Sequence, residues 1–330
     1  MRIGVLCSGG DAPGMNPCLR SIVRTAFVCK DVEIYGIRHG YEGLLNEEFH
    51  RDEQGSPVMG MRSVSGLSKR GGTILHSSRS KRFCEPSGLR QAVKVLKKYG
   101  FDALITIGGN GTLTGAIELG KVWDGQIIGI PGTIDNDLYG TDYTIGFATA
   151  VDTAVDAVDK LRDTAGSHDL MFFVEVMGRY CGDIALATAI ASGAEIACIP
   201  EAEESPTQMV KKLNAIKAAG KMSVMAIVAE GDEHGGAFAV QQLLKEAGNP
   251  FESRAVVLGH ILRGGSPVAA DRIWASEFGN FAVSAIIQGE TGKMTGKIKN
   301  ELVLTPLEEC VSKHRTVDAE KLRLLQIVAG

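Results

Sequence analysis

Eight short apolar runs rich in β-branched residues recur along the chain with helical patterns between them, and this alternation restricts the possible folds more than any other feature. The runs are Ile3–Cys7, Val32–Ile37, Ala103–Ile107, Ile127–Ile130, Met171–Val176, Ile196–Ile199, Ser223–Val228 and Ala255–Leu258. A parallel neighbour needs a crossover long enough to hold a helix, so the pattern predicts an α/β fold with largely parallel sheet. The intervening helices are amphipathic: Leu89, Ala92, Val93 and Leu96 mark one stripe, and Phe147, Val151, Ala154, Val155, Val158 and Leu161 another. Each stripe needs a sheet face to cover.

With 330 residues, 44% of them hydrophobic, the chain is long enough for two lobes. A lobe boundary is expected near 137–145, with a return near residue 250. Charges of both signs are mixed, 35 basic against 39 acidic with a net charge of −4. That balance leaves no broad electrostatic footprint for nucleic acid or an anionic membrane. The seven cysteines show no metal-ligand spacing and are expected as free thiols of a cytoplasmic protein. No apolar stretch approaches ~18 residues, and the N-terminus lacks the regions of a signal peptide.

Two of the runs end in glycine clusters that lead into helices: Ser8-Gly9-Gly10-Asp11-Ala12-Pro13-Gly14, and Gly108-Gly109-Asn110-Gly111-Thr112. Such a turn presents backbone N–H groups beside a positive helix terminus, which suits a phosphate. The first helix is expected to start with Asn16 as N-cap and Pro17 at its first helical position. Arg20 and Arg24 lie one turn apart along it, either solvated or available to an anion.

Asp135 and Asp137, in Pro131-Gly132-Thr133-Ile134-Asp135-Asn136-Asp137, follow a strand end, where ligands bind in open α/β sheets. One carboxylate there suits a general base and its neighbour suits Mg²⁺, with an Asx-rich turn as the alternative. Arg179 opens a helix after another strand and suits a phosphate or an ion pair with Asp183. Arg254, His260 and Arg263 bracket a strand and its Gly-Gly turn and together suit a phosphorylated ligand. Glu230-Gly231 offers a carboxylate to a sugar hydroxyl or simply forms a turn. The stretches Arg70–Thr73 and Ser78–Arg82 are the most basic in the chain and suit either nucleotide phosphates or solvent.

In this order, the segments resemble the bacterial 6-phosphofructokinase family from Ile3 to about Gly289, with Gly4–Asn16, Pro131–Phe147, Val174–Asp183 and Val257–Pro267 carrying the likeness. The resemblance implies two similar three-layer α/β lobes: residues 1–140 with roughly 250–300 for the nucleotide, and 141–250 with the C-terminal region for the sugar phosphate. It implies transfer of a phosphoryl group from ATP, with Mg²⁺, to the 1-hydroxyl of fructose 6-phosphate, in a cytoplasmic homotetramer. Carried over, Gly10, Arg79, Ser80, Gly109, Asn110, Gly111 and Thr112 line the nucleotide site. Asp135 becomes the base, and Asn110 and Asp137 lie near the metal. Thr133, Ile134, Asp135, Met177, Gly178, Arg179, Glu230, Arg254, His260 and Arg263 surround the sugar phosphate, some arginines reaching across a subunit boundary. Arg20, Arg24, Arg162 and Glu195 match an allosteric effector site.

Pyrophosphate-dependent relatives place Asp at the position of Gly111 and Lys at that of Gly132, so the two glycines favour ATP. Asn110 stands where the family has an aspartate, and Leu170 where it has an arginine. Loss of one charge-assisted bond amounts to about 1.5–3 kcal/mol, roughly ten- to a hundredfold in affinity. Met61 and Met222 replace usual basic residues of the effector site. Alternatives are a non-catalytic or weakly active regulatory paralogue, a pyrophosphate-dependent enzyme, or a kinase for another sugar phosphate. The stretch from Met294 to Gly330 shows only an amphipathic pattern over Thr316–Val328.

Overall fold

The structure, a computed structural model, describes residues 1–29, 31–313, 315 and 317–328. The chain begins β1 (Arg2–Cys7), α1 (Met15–Val28), β2 (Glu33–Ile37), α2 (Gly40–Leu45), α3 (Pro86–Tyr99), β3 (Ala103–Gly108), α4 (Asn110–Gly120) and β4 (Gln126–Thr133). It continues with β5 (Ile145–Gly146), α5 (Phe147–His168), β6 (Leu170–Val176), α6 (Asp183–Ser192), β7 (Ile196–Cys198), α7 (Pro206–Ala218), β8 (Val224–Ala229), α8 (Ala237–Glu246) and β9 (Glu252–Val257). It ends with α9 (Ala269–Ile287), β10 (Lys293–Ile298), β11 (Glu301–Pro306), α10 (Leu307–Ser312) and α11 (Ala319–Val328). The eight expected runs are β1–β4 and β6–β9, and the α/β class with mostly parallel sheet holds. Of the amphipathic stretch over Thr316–Val328, Ala319–Val328 is helix, and Thr316 lies outside the described residues.

Contacts divide the chain into two units. The first holds Met1–Thr133, Leu138–Ala148 and Arg263–Arg315; the second holds Ile134–Asp137, Thr149–Leu262 and the C-terminal stretch with α11. The return to the first unit comes at Arg263 rather than near 250, because β9 pairs along its length with β6. Residues 301–306 join the first unit because β11 completes a hairpin with β10.

The first unit is built on a sheet of order β11-β10-β4-β3-β1-β2, with β5 paired to β4. Helices α1 and α9 cover one face, and α2, α3, α4 and α10 the other. Strand alternation sorts the core: Leu6, Leu104 and Ile127 pack with Leu96 and Leu113 from α3 and α4. Each such leucine is fully buried, worth about 1.5–3 kcal/mol of apolar transfer. The hairpin β10–β11 has no counterpart among the expected runs, and it makes that edge antiparallel. Its two-residue turn, Lys299-Asn300, takes φ of 50° and 70°, the doubly left-handed form that suits strand twist.

Asn16 is not the N-cap. Helix α1 starts at Met15 behind Gly14, whose φ is 117°. The Asn16 side chain is buried and fastens the basic loop instead, donating from Nδ2 to the carbonyls of Arg70 (3.2 Å) and Gly71 (2.9 Å) and accepting from the Ile74 amide (2.8 Å).

The second unit has a four-stranded, all-parallel sheet of order β7-β8-β6-β9. On one face Met171, Phe173, Val224 and Ala226 pack with Met209 and Leu213 of α7 and Val240 and Leu244 of α8. Helix α6 packs on the sheet, with α11 behind it. Helix α7 begins with a full capping box, Ser205 with Gln208, followed by Pro206. Among the described residues, no helix is long and apolar enough to cross a membrane.

Candidate active site

In the first unit, β1 and β3 are hydrogen-bonded neighbours, with Cys7 opposite Ile107, and Gly108 is opposite Pro131 of β4. Both glycine loops therefore leave adjacent strand ends, beside the point where the strand order reverses. The loops are stitched together. The Ser8 amide donates to the Ile107 carbonyl (3.1 Å), and the Thr112 hydroxyl donates to the Ser8 carbonyl (2.9 Å). A Cβ on Gly108 would stand 2.3 Å from that Thr112 hydroxyl, so this glycine makes room for the neighbouring loop.

Gly111 differs. It is exposed in the first turn of α4, and a Cβ there would meet nothing within 4 Å. Asn110, the first residue of α4, follows Gly109 and has no side-chain cap before it. A helix start of this kind presents backbone amides that suit a phosphate. Thr133 lies close by, its Cβ 3.4 Å from where a Gly109 Cβ would be. Its carbonyl accepts the Thr144 hydroxyl at 2.6 Å.

Tyr41 is a residue that sequence reasoning missed. Its hydroxyl donates to the Thr112 carbonyl (2.7 Å), and its ring stacks on Phe83 with centroids 4.0 Å apart. Burial pushes the Tyr41 hydroxyl well above its ordinary pKa, so it stays a donor. No periodicity marks it out, because its ring reads as core.

Gly10 and Arg263 belong together. The Arg263 guanidinium lies over Gly10, where a Cβ would be 2.6 Å from Nη1, and Nη1 donates to the Asp11 carbonyl (3.0 Å). Arg263 thus sits with the first glycine loop, in a different unit from most residues expected around the sugar phosphate. Ser80 has structural work: it donates to Glu42 (2.5 Å) and accepts from the Phe83 amide (3.1 Å). Arg79 is exposed. The segment before them is tied to the first glycine loop, since the Gly9 amide donates to the Ser78 carbonyl (3.2 Å).

In the second unit, β8, β6 and β9 are neighbours, with Val176 opposite Ala229 and Glu175 opposite Val257. Their ends bring Met177-Gly178-Arg179 beside Glu230. One oxygen of Glu230 accepts the amides of Arg179 (2.9 Å) and Gly178 (3.3 Å), which holds Arg179 at a φ of 53°. Arg179 pairs with Asp135 rather than Asp183, Nε to Oδ2 at 3.6 Å. Asp135 is buried, Ile134 beside it is fully buried, and Asp137 is half-buried. Asp183 instead accepts from the Asn136 side chain at 2.8 Å. The start of α6 is already occupied by an anionic group, because the exposed Glu201 accepts the Gly182 amide through both oxygens (2.9 and 3.1 Å).

Arg254 is not brought to this group. It lies mid-strand opposite Phe172, about 13 Å of strand before Val176, and pairs with Glu252 (2.8 Å). His260 is exposed in the turn after β9. Leu170, at the head of β6, stands opposite Glu252 and is half-buried.

The residues expected at an effector site fall in both units. Arg20 and Arg24 line a groove of about 410 Å³ with Ser21, Thr25, Cys29 and Ser276. Arg162 and Lys221 pair with the buried Glu195 at 3.6 and 2.5 Å, and Arg162 also donates to the Ser192 carbonyl (2.8 Å) at the end of α6. Glu195 further accepts the Met225 amide at 2.6 Å.

The family described as Phosphofructokinase matches residues 2–286. ATP-dependent 6-phosphofructokinase 1 of Thermus thermophilus is 46% identical over 329 residues, 99% of each chain. ATP-dependent 6-phosphofructokinase of Shouchella clausii is 45% identical over 325 residues, 98% of each chain. Among solved structures, Pichia pastoris phosphofructokinase in the T-state superposes with a TM-score of 0.86 at 35% identity, covering 94% of this chain and 37% of the yeast chain. A pyrophosphate-dependent phosphofructokinase from Marinobacter aquaeolei reaches a TM-score of 0.85 at 20% identity, over 100% of this chain and 92% of that one, which is a likeness of fold.

Proposed function

This chain belongs to the phosphofructokinase family, and on that premise we propose that it transfers the γ-phosphoryl group of ATP to the 1-hydroxyl of fructose 6-phosphate. The observation that carries the reading is Asp135, a buried carboxylate just beyond the end of β4 with the Arg179 guanidinium 3.6 Å away. Asp135 takes the hydroxyl proton as the sugar oxygen attacks the γ-phosphorus. The bond from that phosphorus to the ADP oxygen breaks as the new O–P bond forms. Charge on the transferring group is met by the α4 amides around Gly111 and by Arg263, and the transfer needs positioning more than covalent help. Glu230, which orients Arg179, and Met177 and Gly178 belong to the sugar-phosphate residues in this reading. The relatives that support ATP as donor are 45–46% identical, whereas the pyrophosphate-dependent neighbour shares only the fold.

Among the described residues, no group of three or more His, Cys, Asp or Glu could hold a metal alone. Mg²⁺ carried by nucleotide phosphates keeps its waters and takes one or two protein oxygens, so it requires no such group. Asp137 would supply a carboxylate oxygen and Asn110 an amide oxygen. When bound, the ion neutralises phosphate charge. A cytoplasmic homotetramer is part of the proposal, with Arg254 reaching into a neighbouring subunit. It is supported by the exposed edge strand β9, where Glu252, Arg254 and Val257 face solvent, and sedimentation analysis tests it.

A second reading, a weakly active regulatory paralogue, is favoured by Asn110 and Leu170, where the family's pattern carries charged residues. One assay separates the two. Purified protein with Mg²⁺, fructose 6-phosphate and either ATP or pyrophosphate is expected to form fructose 1,6-bisphosphate with ATP, and Asp135→Ala is expected to lose at least about 100-fold in kcat. Binding of both substrates with no turnover, restored by Asn110→Asp with Leu170→Arg, would favour the paralogue instead.

A further inference from the structure

Asn136, between the two carboxylates, is fully buried and holds a left-handed backbone with φ of 55°. That conformation is costly for most side chains and tolerated by Asn, so the position is specified by something other than local preference. Its Nδ2 donates to Oδ2 of Asp183 at 2.8 Å, and Asp183 is itself buried in the first turn of α6. The turn leading into α6 carries Arg179, whose Nε faces Asp135 at 3.6 Å. Two links therefore join the same pair of segments, 134–137 and 177–183. One is a half-exposed ion pair through Asp135, and the other is a buried hydrogen bond through Asn136.

We infer that Asn136 and Asp183 form a positioning pair that fixes the direction of the Asp135 carboxylate against Arg179; the inference rests on the phosphoryl-transfer reading above. A buried, charge-assisted bond between segments is stiffer than an ion pair open to water, and it sets the left-handed turn that aims the side chains on either side.

The test compares wild type with Asn136→Gly, Asn136→Ala, Asp183→Asn and Asp183→Ala. Glycine accepts the left-handed backbone without strain, so Asn136→Gly removes the side chain while leaving the turn foldable. Misplacement of a catalytic group by about 1 Å costs up to about 100-fold. The expected result is a kcat at least about tenfold lower in both Asn136 variants, with both KM values within about threefold of wild type. Asp183→Asn, which still offers an acceptor to Asn136, should recover most of what Asp183→Ala loses. A crystal structure of Asn136→Gly, determined without substrates, should show the Asp135 carboxylate turned away from Arg179, beyond the 3.6 Å of wild type. An unchanged Asp135–Arg179 separation in that crystal structure, or losses in kcat that merely follow melting temperature, would overturn the inference. Absence of turnover in wild type would retire the phosphotransferase reading, and the crystal structure would still decide the role of the pair.

Discussion

Placing an aspartate at Gly111 should separate stability from nucleotide binding, because the two respond in opposite directions. Gly111 lies in the first turn of α4, its φ is not among the positive ones, and a Cβ there meets nothing within 4 Å. A side chain is accommodated, and replacing glycine within a helix is worth about 0.5–1 kcal/mol. An acid at the helix start adds about 0.3–1 kcal/mol through the macrodipole. Gly111→Asp should therefore melt a few degrees above wild type, at roughly 2–4 °C per kcal/mol for a large domain. The same charge faces the space assigned to the phosphates. Two unit charges about 5 Å apart in a medium of effective dielectric about 20 repel by about 3 kcal/mol, on the order of 100-fold in affinity. Gly111→Ala is the control, with the stability gain and a KM for ATP within about threefold of wild type. Differential scanning calorimetry and initial rates across ATP concentration measure both. If Gly111→Asp and Gly111→Ala share one KM for ATP, the phosphates do not lie at the start of α4 and the argument fails.

Tyr41→Phe removes the donor to the buried Thr112 carbonyl. It should cost about 1–3 kcal/mol in a denaturant titration and raise the KM for ATP, whereas an unchanged stability would show the bond to be replaceable. Of the seven thiols, Cys7, Cys18, Cys181, Cys198 and Cys310 are buried, and burial raises each pKa, Cys7 to about 12 despite the Thr73 hydroxyl. A thiol reagent should therefore label the exposed Cys84 first, then Cys29, and leave the other five until unfolding, as peptide mapping would register. Burial, and then Arg38, pushes His50 and His76 below the ordinary 6.5. The unfolded chain then binds more protons just below that pH, so stability is complete above 6.5 and declines as pH drops through it. Glu47 and Glu48, held low chiefly by hydrogen bonds from Lys98 and His39, add a further loss below 4.5. A melting temperature flat from pH 7.5 to 5.5 would contradict the histidine part, and His50→Gln should flatten it in part.

The parallel strands were legible because each is a continuous β-branched run between helical patterns, as Ala103–Ile107 and Met171–Val176 show. The hairpin was not legible. Its turn is Lys299-Asn300 without the expected Asn-Gly, and Lys293–Ile298 interleaves lysines with apolar residues. In the candidate site, the carboxylates and glycines could be read from their place after strands. Their partners could not, since Asn16, Tyr41, Asn136 and Glu201 act through contacts with residues 19 to 71 positions away. Asn16 shows the limit well: a good capping residue before Pro17 was claimed by the basic loop instead of the helix. Arg263 likewise followed its motif to a sugar-phosphate role, while its guanidinium covers Gly10.

The pairing of β10 with β4 has a consequence for synthesis. β4 ends at Thr133 and its partner begins at Lys293, so Ile128 and Gly129 wait for about 160 further residues before that edge is closed. At about 5–20 residues per second on the ribosome, the wait is roughly 8–32 s. During that interval the mostly apolar strand β4 lacks its β10 partner, and the entire second sheet is made before the first is complete. The last-made hairpin is therefore what closes the first unit, and a chain truncated before Lys293 would leave its most apolar edge open to other chains.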